Sequence, residues 1–303
     1  MRDVGAQIIV VRVRGRQETP IGAGPALLGL AAMSVCTCVS RPPTLEPGTR
    51  ATHFVREVQL GTDSLQVHLV QPMGANGRRP LVLYATGDGG WRSADRALFQ
   101  HLALWGYPLA GFSARHYLQH LRFEATTPAR VAEDYGHLIA FANEALDLPG
   151  DTPTVLVGFS RGSGLAVAAA AQSALQPLLR GVLAVALTDE EEYVRDYRTR
   201  TGRDPRDPSA RQLATLRPYD LLARFDLLPL AVIQSTQDSY LPAAQARLLF
   251  GPDDERRRLY PIRAGGHTFA GARDALYEQA RIALEWIGTC SARDELSRTR
   301  PTR

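Results

Sequence analysis

The sequence contains no lysine. All 35 basic side chains are arginine, set against 31 acidic ones for a net charge of +4. Arginine grips phosphate and carboxylate in a bidentate way, so anionic substrates stay open. No basic stripe is interleaved with aromatics, which argues against a nucleic-acid partner. Cysteine is scarce. Cys36, Cys38 and Cys290 are the three, and no disulfide framework or zinc spacing can be built from them. There is no internal repeat, and no apolar run reaches the roughly 20 residues of a membrane span. What is present is ordinary globular composition, 45% hydrophobic and 22% charged over 303 residues. This suits one large α/β domain or two small ones, able to bury a core without disulfides or metals.

The longest apolar stretch is Pro25–Val39, preceded by Arg12, Arg14 and Arg16 and followed by Ser40, Arg41, Pro42 and Pro43. A basic segment, an apolar stretch of this length and a small-residue exit describe a secretory signal. Residues 1–50 are therefore expected to be a leader that sends the protein to the periplasm. Cys36 and Cys38 are the candidate positions for a lipid anchor, although Met33-Ser34-Val35 and Val35-Cys36-Thr37 are poor lipobox triplets. The alternative is a disordered leader on a cytoplasmic enzyme.

From Thr52 onward strand-like and helix-like segments alternate, the pattern of an α/β fold with a mostly parallel central sheet flanked by helices. Phe54–Leu60 and Leu65–Gln71 flank a Gly-Thr-Asp turn and read as an antiparallel pair. Further strands are predicted at Pro80–Ala85, Tyr107–Phe112, Thr154–Phe159, Val182–Leu187, Leu230–Gln234 and Arg258–Arg263, the last interrupted by Pro261. Helices are predicted at Ala94–Leu104, Pro128–Leu148, Leu165–Leu175 and Phe269–Ile287. The domain is expected to occupy residues 51–290, with residues 189–218 as a small cap or a solvated loop, and residues 291–303 as a disordered tail.

Gly158-Phe159-Ser160-Arg161-Gly162 matches G-x-S-x-G, directly after an apolar strand and at the opening of a helix. In that context the pattern marks the nucleophile elbow of an α/β hydrolase, where a sharp turn pushes the serine Oγ out at the carboxyl edge of the sheet. A serine hydroxyl needs a base, and the fold supplies its partners in the order Ser, then Asp or Glu, then His. Of seven histidines only His267 follows the motif, in a glycine-rich loop before the closing helix. Asp238, after the strand Leu230–Gln234, is the preferred acid over its rivals Asp189 and Glu190. The expected oxyanion donors are the Arg161 amide and that of Asp88 or Gly89, in the loop Thr86-Gly87-Asp88-Gly89-Gly90-Trp91. The chemistry expected from these residues is ester hydrolysis through an acyl-enzyme, with no cofactor and no metal.

Four segments give the chain a resemblance to the VirJ/AcvB family of bacterial virulence proteins. They are Gly87-Asp88-Gly89-Gly90-Trp91, the elbow, Gln237-Asp238-Ser239, and Gly265-Gly266-His267-Thr268-Phe269-Ala270-Gly271. They span roughly Leu81 to Leu284. Ser160 is followed here by Arg161-Gly162-Ser163-Gly164, where the family usually has Phe, Gly, Ala and Asp. The resemblance implies an exported α/β hydrolase with Ser160, Asp238 and His267 as its triad. It also implies an aminoacyl-phosphatidylglycerol-type lipid substrate, contact with a membrane surface, and association with type IV secretion proteins. The alternatives are a soluble carboxylesterase and a non-catalytic partner of a secretion system. If Pro25–Val39 is a signal segment, mature protein begins at or beyond Cys36. N-terminal sequencing of periplasmic material checks this, and full-length protein in the cytoplasm contradicts it.

Overall fold

The central strands Leu81–Ala85, Leu109–Phe112, Thr154–Phe159 and Leu230–Ser235 are buried at every position and mostly apolar, because helices cover the sheet on both sides. The computed structural model describes residues 43–45, 50–61, 63–73, 79–120, 127–189, 216–225 and 227–299. The chain divides into Met1–Val39 and Ser40–Arg303. The signal segment Pro25–Val39, with Cys36 and Cys38, lies outside the described residues, as do residues 190–215 of the cap or loop.

Eight strands form one sheet: β1 (Ala51–Leu60), β2 (Asp63–Pro72), β3 (Leu81–Ala85), β4 (Leu109–Phe112), β5 (Thr154–Phe159), β6 (Leu179–Val185), β7 (Leu230–Ser235) and β8 (Arg257–Ile262). Their order is β1-β2-β4-β3-β5-β6-β7-β8. The β1–β2 and β2–β4 pairs are antiparallel, and every other pair is parallel. The expected α/β-hydrolase architecture is thus present. β8 is an edge strand and carries Pro261, which an interior strand would not tolerate.

The helices are α1 (Ser93–Leu104), α2 (Ala114–His120), α3 (Pro128–Ala145), α4 (Arg161–Ala170), α5 (Ala243–Phe250) and α6 (Arg273–Thr299). Alternate strand residues feed two cores. Leu81, Leu83 and Ala85 pack with α3 and α4 residues such as Leu138 and Leu165. Val82 and Tyr84 pack with α1 and α6 residues such as Leu98 and Ile287. Among the described residues no helix is long and apolar enough to cross a membrane.

Several expected boundaries need correction, among them both ends of α4 and of the closing helix. α4 starts at Arg161 and ends at Ala170, whereas the first large apolar residue suggested Leu165–Leu175. All ten of its residues are buried, so no polar face marks where it begins. The closing helix starts at Arg273, not Phe269, because Phe269 and Gly271 hold positive φ angles of 54° and 77°. It then runs to Thr299, through a segment expected to be a disordered tail. Extending an existing helix avoids the cost of nucleation, and residues 291–299 include Ala, Arg, Glu and Leu, all good helix formers.

α4 lies hard against the sheet. A Cβ on Gly158 would stand 2.3 Å from Gly162 C, and one on Gly162 would stand 2.1 Å from Ala85 O. Both clashes are with backbone, which cannot swing aside. Gly162→Ala is expected to destabilise the fold by about 2 kcal/mol or more, read as a lowered midpoint in thermal or urea unfolding.

Candidate active site

The sharp turn after β5 puts Ser160 at φ 52° and ψ −118°, an unfavourable backbone for a residue with a side chain. Local bonds hold it there. Ser160 N donates to Val185 O at 2.7 Å, and Ser163 Oγ lies 2.7 Å from both Gly158 O and Val185 O. Ser160 is thereby displayed at the carboxyl edge of the sheet, at the N-terminus of α4.

His267 reaches it from the loop after β8. Its Nε2 lies 2.8 Å from Ser160 Oγ, and its Nδ1 lies 2.8 Å from Asp238 Oδ2. The structure therefore brings Ser160, His267 and Asp238 into one hydrogen-bonded chain. The carboxylate that meets His267 is Asp238 and not Asp189, while Glu190 lies outside the described residues. The ring of Tyr240 sits 4.6 Å from that of His267, tilted by 59°.

Asp238 is buried, and donors surround its carboxylate. Oδ1 accepts from the amides of Tyr240 at 2.9 Å and Leu241 at 3.4 Å. Oδ2, already bonded to His267, also accepts from Gln234 Nε2 at 3.1 Å. The same Gln234 nitrogen donates to Leu241 O at 2.6 Å. These bonds satisfy both oxygens of the buried carboxylate and fix its plane. Nothing in the sequence reading singled out Gln234. Its signal was a fully buried polar residue inside an apolar strand, a position that demands a partner.

The loop after β3 passes beside Ser160, since a Cβ on Gly87 would stand 3.5 Å from Ser160 Cβ. Its peptide groups divide into two sets. Gly87 N donates to Asp95 Oδ1 at 2.9 Å, and Gly87 O accepts from Thr86 Oγ1 and from Gly90 N, both at 3.0 Å. The Gly87 peptide is therefore consumed. The amides of Asp88 and Gly89 make no hydrogen bond among the described residues, and they are the two named from sequence as candidate donors. The third candidate, the Arg161 amide, opens α4 immediately after Ser160. Trp91 closes the loop by stacking on Tyr84, with ring centroids 5.8 Å apart. Among the described residues no cluster of His, Cys, Asp or Glu could hold a metal ion.

Sheet order, elbow and loop positions define an α/β-hydrolase fold, and solved structures with this fold match the chain. Est1E from Butyrivibrio proteoclasticus superposes with a TM-score of 0.60 at 15% identity, covering 77% of this chain and 99% of its own. Thermogutta terrifontis esterase 2, phosphoramylated by tabun, gives 0.55 at 19% identity, covering 78% and 95%. A Pyrococcus furiosus esterase gives 0.56 at 11% identity, covering 83% and 99%. The resemblance read from the sequence is also borne out. Residues 80–213 match the family model described as VirJ, a bacterial virulence protein. That segment holds the Gly87–Trp91 loop and the elbow, and ends before Asp238 and His267. No curated protein matches the chain at a significant level.

Proposed function

We propose that the protein is a serine esterase using Ser160 as nucleophile, His267 as general base and Asp238 as the acid that orients it. The observation that carries this reading is the pair of 2.8 Å contacts linking Ser160 Oγ to His267 and His267 to Asp238. His267 Nε2 takes the hydroxyl proton as Oγ attacks the ester carbonyl. Asp238, bonded to Nδ1, holds the ring in the required tautomer and stabilises the imidazolium. The Arg161 amide and that of Asp88 or Gly89 receive the developing oxyanion. His267 then returns the proton to the leaving alcohol, and water releases the acyl group by the same path reversed. The esterases among the structural neighbours support the reaction class.

The VirJ match supports a finer reading. The substrate is an aminoacyl-phosphatidylglycerol-type lipid at the bacterial envelope, the protein works in the periplasm at a membrane surface, and its partners belong to a type IV secretion system. Release of free amino acid from such a lipid in vesicles, against hydrolysis of a soluble short-chain ester, separates this substrate from a soluble carboxylester.

Wild-type protein is expected to label with a fluorophosphonate probe, and Ser160→Ala to fold normally and not label. An unlabelled wild type makes the protein a non-catalytic partner. The acid is tested separately. In a well-studied serine protease, an Asp-to-Asn change at this position costs about 10⁴ in kcat. Asp238→Asn is therefore expected to lower kcat by roughly 10² or more, and Asp189→Asn far less. Both variants must melt near wild type, and a crippled Asp189→Asn beside a near-silent Asp238→Asn reverses the assignment.

A further inference from the structure

One buried acid takes no part in the chain from Ser160 to Asp238. Asp95, in the first turn of α1, is only 4% exposed. Its Oδ1 accepts from Gly87 N at 2.9 Å and from Tyr84 Oη at 3.2 Å. An acid in the first turn of a helix ordinarily faces solvent and favours the helix dipole. This one is turned inward, beneath the loop that carries the unbonded Asp88 and Gly89 amides. On the far side of the loop, Thr86 Oγ1 accepts from Ala114 N at 3.1 Å. The loop is thus pinned to α1 through Gly87 and to the start of α2 through Thr86.

We propose that Asp95 is the positioning residue of the oxyanion loop, its buried carboxylate holding the Gly87 peptide so that the Asp88 and Gly89 amides face the acyl centre on Ser160. The proposal rests on the esterase reading and goes beyond it. A charged acceptor bonds roughly twice as strongly as a neutral one, so the clamp weakens when the carboxylate takes up a proton. The groups facing Asp95 are the Tyr84 hydroxyl from β3, the Asp88 carboxylate from the loop and, beyond Tyr84, the Tyr277 phenol from α6. Arg92 and Arg96 flank it on its own turn, with Arg96 Nη1 donating to Trp91 O. Burial pushes the Asp95 carboxyl up to about 7, against the Gly87 and Tyr84 hydrogen bonds that favour its charged form.

Two consequences have opposite signs. Activity that depends on the clamp is gained as pH rises through about 7. Stability moves the other way. The folded-state pKa lies above the unfolded value, so this group's contribution is complete below the unfolded pKa and is lost as pH rises through about 7. Asp95→Asn keeps the shape and an acceptor oxygen but removes the charge, and is expected to melt at or above wild type in mild alkali.

The test follows kcat and KM for 4-nitrophenyl acetate from about pH 5 to about pH 9 in wild type, Asp95→Asn and Tyr84→Phe. Asp95→Asn is expected to lower kcat by about tenfold to 10²-fold, with KM little changed and one ionisation fewer on the acid limb. Tyr84→Phe removes one donor to the carboxylate, and is expected to move the acid limb up by roughly half a pH unit while the Gly87 bond remains. A merely structural role for Asp95 would move neither limb. Wild-type kcat and an unshifted acid limb in both variants overturn the proposal. If Asp95→Asn fails to fold, Tyr84→Phe decides alone, a shifted limb supporting the clamp and an unshifted one overturning it. A wild type that neither turns over the ester nor labels with fluorophosphonate overturns the esterase reading and this proposal together.

Discussion

The fit of α4 against the sheet is the constraint on which the site depends. Gly158 and Gly162 let the helix begin directly beneath the carboxyl end of β5, with Gly162 pressed on the carbonyl of Ala85. That contact lets one turn serve three ends. It holds Ser160 at φ 52°, sets the Arg161 amide beside it, and brings α4 against β3, from which the Gly87–Trp91 loop departs. The strain at Ser160 is held by surroundings that cannot relax, since Ser163 is fully buried between two carbonyls.

Around that turn, the polar groups are divided between those bonded within the protein and those that are not. Asp238 spends one oxygen on two backbone amides and the other on His267 and Gln234. Gly87 spends its whole peptide inside the protein. The amides of Asp88, which is exposed, and Gly89, which is half-buried, make no hydrogen bond among the described residues. Under the proposed mechanism the site needs donors already oriented and not already occupied, and these two amides answer that need.

Much of this was legible in the sequence because it depends on local signals. The β1–β2 turn, the apolar strands and the elbow are written in contiguous residues. His267 and Asp238 follow from chain order in the fold. Elsewhere the signal was weak or misleading. α2 is short, and α5 exposes Leu248 at 84%, so neither shows a clean apolar face. α4 is buried all round and hid its own start. Asp95 and Gln234 were missed for a different reason. Asp95 looks unremarkable beside its neighbours in sequence, Gln234 stands out only as a polar residue closing an apolar run, and the role of each comes from a partner that only the fold supplies, Gly87 for one and Asp238 for the other.

The edge strand β8 shows how the sheet ends. The pairing of Arg256 O and Ile262 O with β7 turns Arg257, Leu259 and Pro261 outward. The Arg257 amide is taken by Asp254 Oδ1 and its carbonyl by Asp254 N. The Leu259 amide is taken by Asp253 Oδ1 and its carbonyl by the Arg247 guanidinium. Pro261 has no N–H to give. Every donor along this border is occupied or missing, so a strand from another molecule finds no ladder to extend, and edge-to-edge aggregation is blocked here by chemistry and not by bulk.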